Sequence, residues 1–221
     1  MRASIYVEHR GLKLLVDCGT DFRTQALTNG IGDVDAVLLT HTHSDHVNGL
    51  DDLRAYNMIH KHPISVYGSA HALADIRTRF AYCFQPPPLG GGIPDLQLQE
   101  IQAGTPLTIQ SLDVQPLSIL HGKAPILGFR LGDFGYLTDV SVVPEETYAA
   151  LTGVKYLITS ALRHRPHPTH MSLPEALEVA RRIGAKRTWF THMCHDLEHH
   201  ATNAQLPKGI ELAYDGLSFE V

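Results

Sequence analysis

The stretch THTHSDHVNGL, residues 40–50, places three histidines and an aspartate within six positions, directly after the apolar run VDAVLL. A short apolar run bounded by polar residues is typical of a buried strand. Side chains that can bind metal therefore stand where this strand ends. Any fold for the chain must bring that strand end to an edge that a ligand can reach.

Short strands and helical stretches alternate along the chain, which favours an α/β fold. Residues 5–8 and 12–17 predict a hairpin, and ELAYDGLSFEV at 211–221 predicts a hairpin-like end. The clearest helix is 171–185, where Ser172 and Glu175 form a capping box. Further helices are predicted over 21–29, 49–59 and 71–84, and further strands over 34–40, 64–69, 96–101, 106–109, 112–120, 126–132, 134–139, 154–160 and 186–192. We find no internal repeat and predict one domain over residues 1–221.

Histidine or aspartate follows four of the predicted strands, at the point where each apolar run ends. These residues are His41 with His43, His121, Asp139 and His192. If the strands lie side by side, their carboxyl ends meet at one edge of a sheet, which is where α/β proteins tend to bind ligands. The periodicity of the sequence does not show which strands are neighbours. Still, His or Asp at the ends of four strands is more than chance placement would be expected to give.

The spacing inside the histidine cluster predicts a metal site. His41 and His43 point the same way in an extended segment, so both can bind one ion. The chain then turns into a helix, where Asp45 and His46 can face a second position. Imidazole and carboxylate ligands suit zinc, manganese or iron. The alternative is a solvated, histidine-rich loop.

Composition and charge exclude several classes of protein. With 43% hydrophobic and 19% charged residues the chain is globular, and a net charge of −5 without a basic block argues against nucleic-acid binding as the main function. No apolar run approaches the ~20 residues that a membrane helix needs. Three scattered cysteines predict no disulfide framework, so we expect a cytoplasmic location.

The motif THTHSDH matches the HxHxDH signature of the metallo-β-lactamase superfamily. Four further segments resemble the PhnP-type cyclic phosphodiesterases, relatives of the tRNA 3′-end endonucleases, over most of the chain: VDCGTDFRTQAL, HTHSDHVNGLDDLRAYN, HGKAPILGFRLGDFGYLTDVS and HPTHMSLPEAL. This resemblance implies an αββα four-layer sandwich whose N-terminal strand region is shortened here, with one edge of a sheet left open.

The resemblance also implies how the site residues are grouped around two divalent ions, zinc or manganese. One ion would be held by His41, His43 and His121, and the other by Asp45, His46 and His192. Asp139 would bridge the two ions, and Asp17 would support the site from behind. Asp45 and His170 are the implied catalytic residues.

One departure from the PhnP-type pattern concerns a structural zinc. Those proteins bind it with N-terminal cysteines and a histidine that corresponds to His195. This sequence starts at MRASIYVE without those cysteines. We therefore expect no structural zinc at His195.

Other polar residues leave alternatives open. His167, Arg163 and Arg165 lie in a loop that either faces the substrate or only the solvent, and the loop QPPPLGGGIPD at 85–95 is either a substrate lid or a surface loop. The remaining histidines are expected to be solvated: His9, His60, His62, His71, His164, His199 and His200.

The function implied is hydrolysis of a small cyclic phosphodiester, a ribose or nucleoside cyclic phosphate, by a metal-activated water, with His170 acting as an imidazolium. The alternatives are tRNA 3′-end processing, thioester or lactam hydrolysis, and metal-dependent regulation without catalysis. The expected partner is the small phosphodiester itself. We expect no stable nucleic-acid partner and no membrane, and the sequence leaves a homodimer open.

Overall fold

A computed structural model describes residues 1–86 and 92–221, which fall into two units, Met1–Gln102 and Ala103–Val221. Residues 87–91, at the centre of the loop predicted over 85–95, lie outside the described residues, so its role as a lid or a surface loop stays a prediction. The single domain over 1–221 also stays a prediction.

The first unit is built on a five-stranded sheet in the order β1-β2-β3-β4-β5. Its strands are β1 (Ile5–His9), β2 (Leu12–Val16), β3 (Ala36–Leu38), β4 (Ile64–Gly68) and β5 (Leu96–Glu100). The predicted hairpin is confirmed, because β1 pairs antiparallel with β2, and Arg10 and Gly11 turn with positive φ angles of 48° and 90°. The strands from β2 to β5 run parallel.

Helices flank this sheet between its strands. They are α1 (Phe22–Asn29), α2 (Ser44–Val47), α3 (Arg54–His60) and α4 (Ala70–Arg79), with 3₁₀ turns at Leu50–Leu53 and Ala81–Phe84. α1 ends where Gly30 adopts a left-handed conformation, and α4 begins where the Ser69 side chain accepts from the Ala72 N–H. The helix predicted over 49–59 is wrong in its first part, because residues 50–53 form a 3₁₀ turn before α3 begins.

The second unit is built on a seven-stranded mixed sheet in the order β12-β11-β10-β9-β8-β7-β6. Its strands are β6 (Leu107–Ile109), β7 (Leu112–His121), β8 (Ala124–Leu131), β9 (Phe134–Leu137), β10 (Tyr156–Ser160), β11 (Arg187–Thr191) and β12 (Ile210–Leu212). β6 to β9 form an antiparallel meander, and β9 to β12 run parallel. The hairpin predicted for 211–221 is wrong: Ile210–Leu212 instead extends the parallel part of the sheet.

Three helices accompany the second sheet: α5 (Glu145–Ala150), α6 (Leu173–Ile183) and α7 (His199–Asn203). α6 has the predicted capping box between Ser172 and Glu175, and left-handed Gly184 ends it. Its buried residues Ala176, Val179 and Ala180 pack into a core with Leu157 and Phe190 of β10 and β11. The capping box therefore fixes the start of a helix whose apolar face covers the parallel part of the sheet.

Mixed sheets flanked by helices confirm the α/β class. None of the helices within residues 1–86 and 92–221 combines the length and the apolar character needed to cross a bilayer.

Candidate metal centre

In the first unit the candidate ligands gather at the carboxyl ends of β2 and β3. The HxHxDH segment leaves β3 extended, and His43 precedes α2 with φ −61° and ψ 150°. Asp45 and His46 then lie in the single turn of α2, which folds the His46 ring back to 4.2 Å from the His41 ring centroid. Because this short segment links the strand to the helix, candidate ligands that are close in the sequence also lie close together in space.

The two histidines of the extended part present neighbouring nitrogen atoms. His41 Nε2 lies 3.0 Å from His43 Nδ1. Two ligands of one tetrahedral zinc ion at 2.0–2.1 Å are separated by roughly 3.3 Å. The spacing of this pair is therefore close to that of two nitrogens that share an ion.

Asp17, which follows β2, sets the orientation of the surrounding side chains. Its fully buried carboxylate accepts from the Thr40 hydroxyl at 2.7 Å, from the Thr40 N–H at 2.8 Å and from His46 Nδ1 at 2.7 Å. Since the Thr40 hydroxyl donates to Asp17, its oxygen accepts from His41 Nδ1 at 3.0 Å. Both rings thus carry their proton on Nδ1 and offer Nε2 as a metal ligand, the usual arrangement in metal sites.

Two glycines allow the loop to fold this tightly, and the sequence prediction missed both. A Cβ atom on Gly19 would collide with the Asp45 carbonyl oxygen, and one on Gly49 would collide with the Gly19 carbonyl oxygen. The Cys18 N–H donates to the His46 carbonyl at 2.8 Å, and the Gly49 N–H donates to the Cys18 carbonyl at 2.9 Å. The ligand loop is therefore clamped backbone to backbone onto the segment after β2.

Arg79 of α4 also holds the ligand loop. Its guanidinium donates to the Thr42 carbonyl and to the Asp75 carboxylate, with the nearer Asp75 contact at 2.6 Å. The Arg79 hydrogen bond lowers the pKa of Asp75 below its usual value. Arg79 therefore ties the residue between His41 and His43 to a helix.

In the second unit the candidate ligands come from separate elements. His121 is the last residue of β7, Asp139 follows β9, His192 follows β11, and His170 lies in the loop before α6. Asp139, His170 and His192 offer ligand atoms that all lie within 4.8 Å of one another. Asp139 Oδ1 and His192 Nε2 lie 3.2 Å apart.

A backbone carbonyl fixes the orientation of His121. Its Nδ1 donates to the Thr169 carbonyl at 2.8 Å, which leaves Nε2 as the ligand atom. A Cβ on Gly122 would collide with the Thr169 side chain, so the loop before α6 packs directly against the end of β7.

His170 is half-buried among the other rings of the second unit. It stacks on His192 with ring centroids 5.0 Å apart and packs edge-on against His121 at 4.6 Å. Burial lowers the pKa of His170 to about 4, and the Asp139 carboxylate opposes this effect only in part. Burial disfavours the charged form of the ring. The imidazolium predicted from the sequence therefore depends on a negatively charged partner that raises this pKa, and it stays a prediction.

The neighbouring loop residues contact one another. His167 Nδ1 accepts from the Thr169 N–H at 3.3 Å, and its ring centroid lies 5.2 Å from that of His170. Arg163 donates to the carbonyls of Arg165 and Pro166 within the loop. Arg165 pairs with Asp196 at 3.3 Å while its side chain is 77% exposed. These contacts order the loop but assign no phosphate contact to either arginine.

Backbone strain coincides with the candidate sites. Six non-glycine residues of the described chain have positive φ, and three of them are Asp17 (59°), Asp139 (54°) and His192 (56°). Left-handed backbone costs an L-residue of order 1 kcal/mol and persists where the surrounding structure enforces it. At Asp17, Asp139 and His192 the left-handed backbone changes the direction of the chain, and so of the side chain, just after a strand ends.

The donor atoms fit divalent metal ions. They are imidazole nitrogens, with the tautomers of His41, His46 and His121 set by hydroxyl, carboxylate and carbonyl partners, together with the Asp45 and Asp139 carboxylates. At His195 the potential ligand atoms come from the consecutive residues Cys194, His195 and Asp196, and the His195 side chain is 95% exposed. Its lack of a structural zinc stays a prediction.

Comparison with known proteins places the chain in a family. Residues 13–193 match the model of the beta-lactamase superfamily domain. The crystal structure of a diphosphatase from the PhnP family superposes with a TM-score of 0.91 at 36% identity, over 98% of this chain and 82% of that one.

Two curated relatives are longer proteins. An octanoyltransferase of Porphyromonas gingivalis is 38% identical over 96% of this chain but only 43% of its own length. A ribonuclease Z of Methanopyrus kandleri is 48% identical over 58% of this chain and 42% of its own length. The chain thus spans less than half the length of these two relatives. The match over residues 13–193 and the likeness to the diphosphatase over 98% of this chain show that the chain belongs to the metallo-β-lactamase superfamily, on its PhnP-like branch.

Proposed function

We propose that the chain is a metal-dependent phosphodiesterase that hydrolyses a small cyclic phosphodiester, a ribose or nucleoside cyclic phosphate. The observation that carries this proposal is the 36% identity to a PhnP-family diphosphatase over nearly the whole chain. It is supported by candidate ligands with nitrogen and oxygen donors, which suit the ions that catalyse phosphoryl transfer.

The proposed cofactors are two divalent ions, zinc or manganese. His41, His43 and His121 would hold one ion, Asp45, His46 and His192 the other, and Asp139 both. When bound, such a pair of ions acidifies a water molecule and offsets negative charge on phosphoryl oxygens.

The proposed catalytic residues are Asp45 and His170. The Asp45 side chain is 27% exposed, so its carboxylate can accept a hydrogen bond from the attacking water while it also binds metal. The buried Nδ1 of His170 has no hydrogen-bond partner among the described residues. We propose that His170 contacts the substrate phosphate, whose negative charge would raise the pKa of the ring and allow it to donate a proton to the leaving oxygen.

A substrate panel tests the proposed function. The purified chain, loaded with Zn²⁺ or Mn²⁺, is assayed with ribose and nucleoside cyclic phosphates, a tRNA precursor and an octanoyl thioester. We expect the highest kcat/KM with a cyclic phosphate. Cleavage of the tRNA precursor or the thioester without turnover of any cyclic phosphate would contradict the proposal. If the chain binds metal but does not turn over even bis-p-nitrophenyl phosphate, the alternative of a metal-dependent regulator without catalysis is favoured.

The second candidate function is tRNA 3′-end processing by the same chemistry. It is favoured by the 48% identity to the Methanopyrus kandleri ribonuclease Z over 136 residues. The net charge of −5 speaks against it, because an RNA ligand is bound largely through its phosphates. A cytoplasmic location and the lack of a stable nucleic-acid or membrane partner stay predictions, and a homodimer stays open.

A further inference from the structure

A second group of potential metal ligands lies at the opposite edge of the first unit's sheet. Asp33 and Asp35 precede β3, and His62 lies between α3 and β4. β3 and β4 run parallel with Ala36 opposite Ser65, so their amino ends share one edge. The HxHxDH segment follows the carboxyl end of β3 and therefore lies at the other edge.

The ligand atoms of this group are close enough to share an ion. Asp33, Asp35 and His62 each offer one ligand atom, and these atoms all lie within 4.8 Å of one another. His62 Nε2 is 3.5 Å from Asp33 Oδ1. That is longer than an ordinary N–H···O hydrogen bond of 2.7–3.2 Å, and it approximates the roughly 3.3 Å between two ligands of a tetrahedral zinc ion.

The His62 ring is oriented as a ligand. Its Nδ1 donates to the Pro63 carbonyl at 3.1 Å, so in the neutral ring the lone pair is on Nε2, the atom that faces Asp33. Without an ion, the Pro63 carbonyl and the Asp33 carboxylate raise the pKa of His62. The side chain is 33% exposed, so a hydrated ion can reach it. His62 was expected from the sequence to be solvated, but the structure places it against a carboxylate.

Both carboxylates are held in place by groups of the neighbouring backbone and β2. Asp33 Oδ1 accepts from the Val34 N–H at 2.9 Å, and Asp33 Oδ2 lies 3.3 Å from Lys13 Nζ. Asp35 Oδ2 accepts from the Lys13 N–H at 2.8 Å. The carboxylates therefore need little reordering to bind an ion.

The neighbouring His60 also lies near this group, with its Nε2 3.7 Å from Asp33 Oδ1. Its Nε2 lies 3.0 Å from the Gly32 carbonyl, to which it donates, so this atom carries a proton and is not a ligand in the observed arrangement. The group then offers one imidazole and two carboxylates. Three protein ligands leave a coordination position for water, as in open zinc sites.

We propose that Asp33, Asp35 and His62 bind a zinc ion at the amino edge of the sheet. This ion is additional to the two proposed for the catalytic site. It links the start of β3 to the segment that enters β4, so it stabilises the first unit and takes no part in catalysis. The competing arrangement is a protonated His62 paired with Asp33, with no metal.

Zinc counting on the full chain tests this site. The protein is equilibrated with buffered Zn²⁺, and bound zinc is measured by mass spectrometry for the wild type, His62→Gln and the control His71→Gln, which replaces an exposed histidine of α4. We expect His62→Gln to bind about one ion per chain fewer than the other two proteins. Its turnover of bis-p-nitrophenyl phosphate at saturating Zn²⁺ should be unchanged, which also shows that the variant folds.

Two further measurements keep the test decisive. Asp35→Asn retains an oxygen that can accept from the Lys13 N–H but weakens metal binding, so it should also lose about one ion. In crystals of the zinc-loaded wild type, anomalous scattering at the zinc edge should give a peak beside His62 Nε2. Equal zinc content in the wild type and both variants would overturn the proposal and favour the metal-free ion pair.

Discussion

The two units supply candidate ligands in contrasting ways. In the first unit His41, His43, Asp45 and His46 come from six consecutive residues, and one strand-to-helix turn brings them together. In the second unit His121, Asp139, His170 and His192 come from two strand ends, a buried turn and a loop spread over residues 121–192. The four ligands of the first unit, here called the first set, depend on one local motif. The four of the second unit, the second set, depend on the whole sheet being folded.

The support behind each set differs accordingly. Side chains add to the backbone contacts that hold the first set, since the buried Asp17 carboxylate orients both Thr40 and His46. Backbone holds the second set, through the Thr169 carbonyl behind His121 and the left-handed conformations of Asp139 and His192. We infer that single side-chain substitutions behind the ligands will disturb the first set more than the second.

The largest expected effect concerns Asp139, the proposed shared ligand. Asp139→Ala should lower the occupancy of both ions, because each loses a charged ligand, whereas His192→Ala should chiefly lower one. Elemental analysis of the purified variants measures this. Full metal content in Asp139→Ala would show that Asp139 does not bridge the two ions. The second set would then be no more important for metal binding than the first.

His170 should differ from the other members of the second set. His170→Ala should keep about two catalytic ions per chain but lower turnover of a cyclic phosphodiester by ~10²–10⁴, the usual contribution of a positioned acid or base. The loss should be smaller with a p-nitrophenyl ester, whose leaving group needs little protonation.

Three other outcomes for His170→Ala have distinct meanings. Equal losses on both substrates would mean that His170 stabilises phosphoryl charge and donates no proton. Loss of metal in this variant would show that His170 is itself a metal ligand. Unchanged activity on every phosphodiester would place it outside the site.

Asp17 tests the side-chain support of the first set. Asp17→Asn should weaken metal binding by about 10–100-fold, the usual effect of losing the carboxylate behind a ligating histidine. Asp51→Asn is the matched control, because Asp51 instead accepts from the Tyr82 hydroxyl at 2.6 Å. Metal titration of both variants measures the effect. An equal affinity in the two would show that Asp17 contributes nothing to metal binding.

The smallest expected effect concerns Arg79, which acts through the Thr42 carbonyl. Arg79→Ala should weaken metal binding by about 10-fold or less, the lower end for residues that support a ligand. Arg77→Ala on the same helix is the control, since Arg77 lies over the Phe84 ring. If Arg79→Ala binds metal as tightly as the control, the loop is held by its backbone contacts alone.

The contrast between the sets also explains how much the sequence could predict. The HxHxDH segment was visible because its ligands are adjacent, and the strand-end pattern pointed to His121, Asp139 and His192 without showing that they meet. The β1–β2 hairpin and α6 were predictable because turn and capping residues act locally.

Other features depend on tertiary packing and could not be read from the sequence. The collisions that require glycine at 19 and 49 arise between segments distant in the chain. The lowered pKa of His170 results from burial, and the group around His62 forms only because β3 and β4 are parallel neighbours. Ile210–Leu212 pair parallel with β11, a contact between distant segments that local patterning cannot show.

Stepwise reconstitution of the metal-free protein tests the central claim most directly. Turnover of a cyclic phosphodiester is measured as Zn²⁺ or Mn²⁺ is added in known ratios to the chain. We expect activity to develop as about two ions bind per chain and any further ion to leave it unchanged. Full activity with a single bound ion, or no turnover of any phosphodiester in the fully loaded protein, would contradict it.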